Sequence, residues 1–249
     1  DVLFGYAWTD AEDVSPMTSA TAGSNFENTA LVDLNNPVAA TSNYVVPQRY
    51  TLRLNYAKAF FGDNLTEITL YGFVNKGQPQ SYGMSSQPFE GDNDNARHLL
   101  YIPAGPTDPN VVFGPNFDQE AFFAWVAEKG LAPGLTDRND FHSGWTTRLD
   151  LRVSQELSLP AGFRGQAYLK IYNLGNLLND DWGEIVDAQF FTPGIVGLGY
   201  EIDEDTEVSG IDSLGRLVYG SFSDRSIERT YINRSLWEAR IGFDIKFGG

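Results

Sequence analysis

Cysteine is absent from the 249 residues, and histidine occurs only at His98 and His142. Disulfide frameworks, thiolate metal sites, cysteine nucleophiles and the usual His/Cys zinc sets are thereby excluded. Basic residues are scarce as well, with 17 Lys plus Arg against 33 Asp plus Glu and a net charge of −16. No nucleic-acid partner is expected, because a polyanion is held by clustered cations. The longest purely apolar run, Ala121 to Ala127, has seven residues, far short of the ~20 that a membrane-spanning helix needs. The opening Asp1-Val2-Leu3-Phe4-Gly5-Tyr6 lacks a basic start followed by an apolar core, so it reads as a strand and not a leader. Chemistry-bearing motifs are missing too: no glycine-rich phosphate loop, no Gly-x-Ser-x-Gly elbow and no histidine placed as an obvious base. Neither enzyme activity nor a cofactor is expected.

What is present is aromatic and turn-rich: 17 Phe, 12 Tyr and 5 Trp, with 25 Gly and 12 Pro. That composition favours β structure. Period-two alternation locates the strands. Tyr50, Leu52, Leu54 and Tyr56 share one face, and Arg49, Thr51, Arg53 and Asn55 the other. Residues 66 to 76 alternate more loosely, with Ile68, Leu70, Gly72 and Val74 opposite Thr69, Tyr71, Phe73 and Asn75. Thr147, Leu149, Leu151 and Val153 stand opposite Arg148, Asp150, Arg152 and Ser154. Ala167, Leu169 and Ile171 follow in the next strand. In the last, Trp237, Ala239, Ile241, Phe243, Ile245 and Phe247 oppose Glu238, Arg240, Gly242, Asp244 and Lys246. With Val2, Phe4, Tyr6 and Trp8, six long strands are expected.

Their connections alternate between short (61–64, 159–162) and long (11–45, 77–144, 177–231). Soluble sandwiches seldom do this, since their median connection is ~4–6 residues. Outer-membrane barrels do, with short periplasmic turns and long external loops. Charge is partitioned accordingly. Outside those connections lie 11 basic and 7 acidic residues, a net of +4; within them lie 6 basic and 26 acidic, a net of −20. The expected fold is all-β: an antiparallel transmembrane β-barrel segment of about six strands, with one short helix in a loop. A half-exposed antiparallel sheet in a soluble protein alternates in the same way. Tyr6, Trp8, Tyr50, Trp145 and Trp237 near strand ends suit an interfacial aromatic girdle.

The segments Ile171-Tyr172-Asn173-Leu174-Gly175-Asn176-Leu177-Leu178-Asn179, then Trp182-Gly183, and the closing Ser235-Leu236-Trp237-Glu238-Ala239-Arg240-Ile241-Gly242-Phe243-Asp244-Ile245-Lys246-Phe247 carry a family likeness. Tyr6 to Pro16 and Val46-Pro47-Gln48-Arg49-Tyr50 add weaker support. The chain resembles the C-terminal barrel portion of TonB-dependent outer-membrane receptors, Oar-like group, over residues 1–249. The resemblance implies a multi-pass barrel in the outer membrane of a Gram-negative bacterium, surrounded by lipid and lipopolysaccharide. It also implies further barrel strands and a plug from other sequence, and TonB as the partner that drives uptake. Phe247 would be the terminal aromatic used in assembly, with Phe243 and Ile245 beside it, although Gly248 and Gly249 follow. Six strands cannot make that family's large barrel, so completion by other strands is expected.

The single expected helix, Asn116 to Gly130, has Asn116 and Gln119 spaced as a capping box and Gly130 as its stop. Its Phe122, Trp125 and Val126 are either ligand contacts above the barrel or packing against its own loop. Arg49, Arg53, Arg148, Arg152, Arg240 and Lys246 are expected to line a lumen, pairing with Asp150, Glu156, Glu238 and Asp244 or holding an anionic substrate. Glu201 to Glu207 carries five carboxylates without the ligand spacing of a calcium loop, and reads as a solvated run. Asp92-Asn93-Asp94-Asn95 and Asp33-Leu34-Asn35-Asn36 read as turns. The resemblance implies substrate uptake through a barrel, with a barrel serving adhesion or secretion as its alternative; the residues themselves leave open a soluble carbohydrate-binding module using exposed Trp and Tyr.

Overall fold

In the computed structural model, residues 1–33, 35–85, 97–160, 163–188, 192–203, 206–226 and 228–246 are described; for residues 200–209 and Lys246 this means the backbone alone. The fold is mostly β. Six strands form one curled sheet: β1 (Val2–Trp8), β2 (Gln48–Phe61), β3 (Asn64–Asn75), β4 (Thr146–Ser158), β5 (Arg164–Tyr172) and β6 (Glu238–Lys246). They lie side by side in chain order and every pairing is antiparallel. The turn between β2 and β3 is set by Gly62, whose φ of 61° falls in the left-handed region that glycine adopts without a Cβ clash.

Register brings the alternating residues of all six strands into common rows. Leu54 lies opposite Val2 and Leu70, and the row continues through Leu151 and Ile171 to Ala239. The next row runs Tyr56, Ile68, Val153, Leu169, Ile241. In these rows one face of the wall is apolar from edge to edge, and the other face carries the arginines, the carboxylates and Tyr71, Tyr168 and Tyr172.

The long loops, expected to hold one short helix, carry strands as well. Strands from two different loops build a second, five-stranded sheet in the order Val111–Phe113, Leu217–Phe222, Gly194–Leu198, Gly83–Ser85, His98–Leu99. Two of its pairings are parallel, Val111–Phe113 with Leu217–Phe222 and Gly194–Leu198 with Gly83–Ser85, so the antiparallel expectation holds for the wall and fails at these two pairings of the loop sheet. Among the described residues there are four helices instead of one: α1 (Ala22–Glu27), α2 (Gln119–Lys129), α3 (Leu174–Leu178) and α4 (Ile232–Ser235). The cap of α2 is Asp118, whose side chain accepts from Ala121 N at 2.9 Å, and not Asn116. Asp118 has the carboxylate at the right distance, two residues nearer the first turn. Gly130 closes the helix at φ 66° as expected.

The buried apolar core sits in this loop layer. Phe122, Leu100, Ile102, Ile195, Val196 and Tyr219 are sealed from solvent, and no residue of the six-stranded wall belongs to the cluster.

Candidate functional site

The wall separates two chemistries. On its apolar face the side chains of the edge strands are exposed, Val2 74% accessible, Phe4 67% and Ile241 87%, and those between, such as Leu70, Leu151 and Ile171, are half-exposed. Phe243 and Ile245 lie on this same exposed face. Phe247 lies outside the described residues. Aromatics gather where the wall meets the long loops. Tyr6 packs on Tyr50 with ring centres 4.9 Å apart, Tyr50 on Trp145 at 6.2 Å, and Trp8, Trp182 and Trp237 stand exposed nearby in the chain. Carried through the pairings, this rim moves from the Gln48 row at Trp8 to the Leu52 row at Trp237. Four residues of rise, ~13 Å, across five gaps of ~4.8 Å give the strands a tilt of roughly 30°, close to that of barrel walls.

The opposite face is polar and cross-linked. Arg148 pairs with Asp150 at 2.9 Å and Arg240 with Glu238 at 2.5 Å. Glu156 departs from the expected ion pairing and accepts from Leu65 N at 3.1 Å. Arg152 donates to Gln166 and lies 5.4 Å from the Tyr168 ring centre, while Arg148 and Arg240 flank Tyr172 at 5.7 and 5.1 Å. Arg49 sits over Phe73. Arg53 projects from the same face without an ion pair among the described residues. Lys246 pairs with Arg164 in backbone register. These cations form a ladder of guanidiniums and rings spread over five strands, not one clustered anion site.

Phe122 and Trp125 are core residues. Phe122 is fully enclosed by Phe117, Tyr219, Phe222 and Trp125, with ring centres 5.4, 6.0, 5.5 and 6.1 Å away. Val126 packs against the same cluster. The ligand-contact reading of these three residues is corrected, because a helix this aromatic buries its bulk against the nearest sheet. Tyr219 sits at the bottom, donating its hydroxyl to Tyr101 O. Burial pushes its phenol above the ordinary range, with Tyr101 and Asp108 adding to the effect, so it remains a donor.

The segment that carried the family likeness is a clasp at the rim. Asn173 adopts φ 53° and donates from Nδ2 to Gly183 O at 2.8 Å and Ser235 O at 2.5 Å, while its backbone N–H reaches Asp150 Oδ1 at 2.8 Å. Asn176 holds Asp180 O and accepts from Trp237 N. Gly183 has no alternative, since a Cβ there would strike Asn173 Oδ1. Two loop segments are thereby tied to the top of β4 and β5. Sequence reasoning had the motif but not its role; the sign was asparagine, the residue that most tolerates left-handed backbone after glycine. Asn173→Ala strands two buried carbonyls and strains the backbone, which should cost ~1–3 kcal/mol. Asn173→Gly should recover only the backbone part. Thermal melting of the purified protein checks the order, and equal melting of all three proteins removes the clasp.

No protein-family model, curated protein or solved structure matches this chain.

The remaining concavities lie among the loops. One cleft of about 280 Å³ lies between three of them, lined by Asn43 and Tyr44 from the first, Gln78 and Asn139 from the second, and Tyr231 and Arg234 from the third. Beside it Arg138 is locked to Asp13, Nη2 to Oδ1 at 2.6 Å, and to the carbonyls of Asp13 and Val14. A second cleft of about 420 Å³ gathers Tyr82, Lys129, His142, Asp224, Arg225 and Glu228. His142 is held below its usual pKa by burial and then by Lys76. Glu228 accepts from Gly144 N at 2.5 Å. No three His, Asp or Glu side chains are placed to hold a metal among the described residues. Of the acidic run, Glu201, Ile202 and Asp203 pair in backbone register with Val208, Glu207 and Thr206; residues 204 and 205 lie outside the described set. Asp33 makes the expected turn, accepting from Asn35 N at 2.9 Å; residues 92 to 95 lie outside the described set.

Proposed function

We propose that this chain is part of the wall of an outer-membrane β-barrel of the TonB-dependent receptor kind, capturing substrate at its long loops and passing it inward past a plug. One observation carries the reading: the wall's apolar face is exposed or half-exposed and none of its large side chains is buried, while the buried core lies in the loops. A water-soluble sheet of this alternation buries that face as its core. Exposed contiguous apolar surface well beyond a few hundred Å² marks a membrane or protein interface. Height supports it too. Tyr50 to Phe60 is ten residues, ~33 Å of strand, or ~25–29 Å of vertical span at the tilts involved, which is the height of a barrel's apolar band.

The free edges of β1 and β6 support completion by further strands. In hydrocarbon each unpaired backbone group costs several kcal/mol, and bacterial outer-membrane barrels begin at about eight strands. Under this reading the polar face lines the lumen and meets the plug.

Orientation gives the test. The turn at Asp63 should face the periplasm and the Asp212–Gly215 turn, with Leu214 exposed, the outside. An epitope inserted at Leu214 should be stained on intact cells, whereas one at Asp63 should need permeabilised cells. Staining at Asp63 alone on sealed cells inverts the topology, and a protein recovered in the soluble fraction removes the barrel.

A further inference from the structure

The cleft at the meeting of the three loops differs from the rest of the molecule in its chemistry. This chain is strongly acidic, yet charge around the cleft cancels: Arg138 is neutralised by Asp13, and Arg234 shares the lining with Asp187. What remains is an array of neutral hydrogen-bonding groups. Asn43 uses only its Oδ1, accepting from Asn139, which leaves its Nδ2 hydrogens to spare. The Gln78 amide, the Thr192 hydroxyl and the Tyr231 hydroxyl have no hydrogen-bond partner among the described residues. Asp187 has a second carboxylate oxygen beyond the one held by Ala188 N. Tyr44, 61% exposed, offers a ring beside them, fixed through its hydroxyl to Met17 O.

These groups come from three separate loops and are held from behind. Asn139, 4% exposed, ties Thr41 O and Asn43 Oδ1 together and is itself bonded to Ser81. Asn43 is thus presented by a rigid second layer and does not have to be ordered when a ligand arrives. Tyr231 is likewise steadied, with Arg234 4.6 Å and Arg229 5.3 Å from its ring centre.

We infer that this cleft binds a short neutral oligosaccharide. Vicinal sugar hydroxyls are both donors and acceptors, which matches amides and hydroxyls rather than charges. A pyranose C–H face suits an aromatic ring such as Tyr44. At about 280 Å³, the cleft is at the small end of ligand sites and admits roughly one or two sugar rings of a longer chain. An acidic ligand would meet the Asp187 carboxylate in the lining, while Arg229 and Arg234 are engaged on the Tyr231 ring, and an apolar one would leave the polar lining unsatisfied. The cleft's role in capture rests on the barrel reading; the binding chemistry does not.

The test uses the full receptor in detergent, after heat-modifiability has shown the barrel folded. Calorimetric titration would use maltohexaose, cellohexaose, mannohexaose and xylohexaose, with hexagalacturonate and a neutral hexapeptide as contrasts. At least one neutral hexasaccharide should bind. Asn43→Ala and Gln78→Ala, both outside the buried core, should each weaken that binding at least tenfold without altering the melting temperature. Loss of melting temperature in either variant shifts the test to Tyr44→Ala, whose ring is exposed and should give the same loss. Binding of hexagalacturonate or peptide alone, of no probe at all, or of a hexasaccharide indifferent to these substitutions overturns the inference. A folded membrane barrel that binds no sugar sinks only this site, whereas failure to fractionate with membranes sinks the barrel and not the site.

Discussion

Ile241→Arg should cost ~2–4 kcal/mol on the proposed barrel reading, the penalty for arginine near the midplane of a lipid-facing wall. Ile241 lies four residues beyond Trp237, ~13 Å along the strand, which at the wall's tilt is close to the middle of the apolar band. It is 87% exposed, so the substitution removes almost no protein packing. In a soluble sheet such a change at an exposed site is worth less than ~0.5 kcal/mol. The control is its neighbour on the other face: Arg240 makes an exposed pair with Glu238, and Arg240→Gln should cost under ~1 kcal/mol. Urea titration of the folded, heat-modifiable species in phospholipid vesicles reads both. Equal tolerance at the two positions would mean that neither face meets lipid.

Phe122→Ala should be as damaging, but elsewhere. Removing a fully enclosed ring surrounded by four aromatics costs ~3–5 kcal/mol, because the transfer energy is lost and the cavity is only partly refilled. The loss should fall on the loop layer and leave the wall folded, since no residue of the six strands takes part in that core. Trypsin gives the readout. Arg138, 6% exposed in the intact layer, should become a cleavage site while the heat-modifiable band persists. Disappearance of that band together with the loop protection would show the two layers to be one cooperative unit.

The wall was legible in the sequence because period-two alternation survives over Tyr50 to Tyr56, Thr147 to Val153 and Trp237 to Ile245, and because the turns at 61–64 and 159–162 are short. The α2 helix was legible from its stop at Gly130 and its acidic start. The loop sheet was not. Its strands are two to six residues long, too short for a period to show, and the Gly194–Leu198 strand pairs with Gly83–Ser85 more than a hundred residues away. No local signal distinguishes such strands from turns. The cleft was hidden for the same reason. Asn43, Gln78 and Tyr231 are ordinary polar loop residues until three separate stretches meet. Of the two readings of Phe122 and Trp125, packing is the one the structure supports, since aromatic content alone does not tell a surface from a core.

The interleaving of the loop sheet constrains the order in which the molecule can be built. Each wall strand pairs only with its neighbours in the chain, so the wall can lengthen one hairpin at a time with little entropy lost per step. The loop sheet has no such local route. Its strands come from the connection before β4 and the connection after β5, so its centre closes at least cost once that hairpin has brought the two connections together. Completion of the loop core therefore acts as a record that the fourth and fifth strands have been laid down correctly. A capture cleft built across the same loops would open for binding only on a wall already assembled.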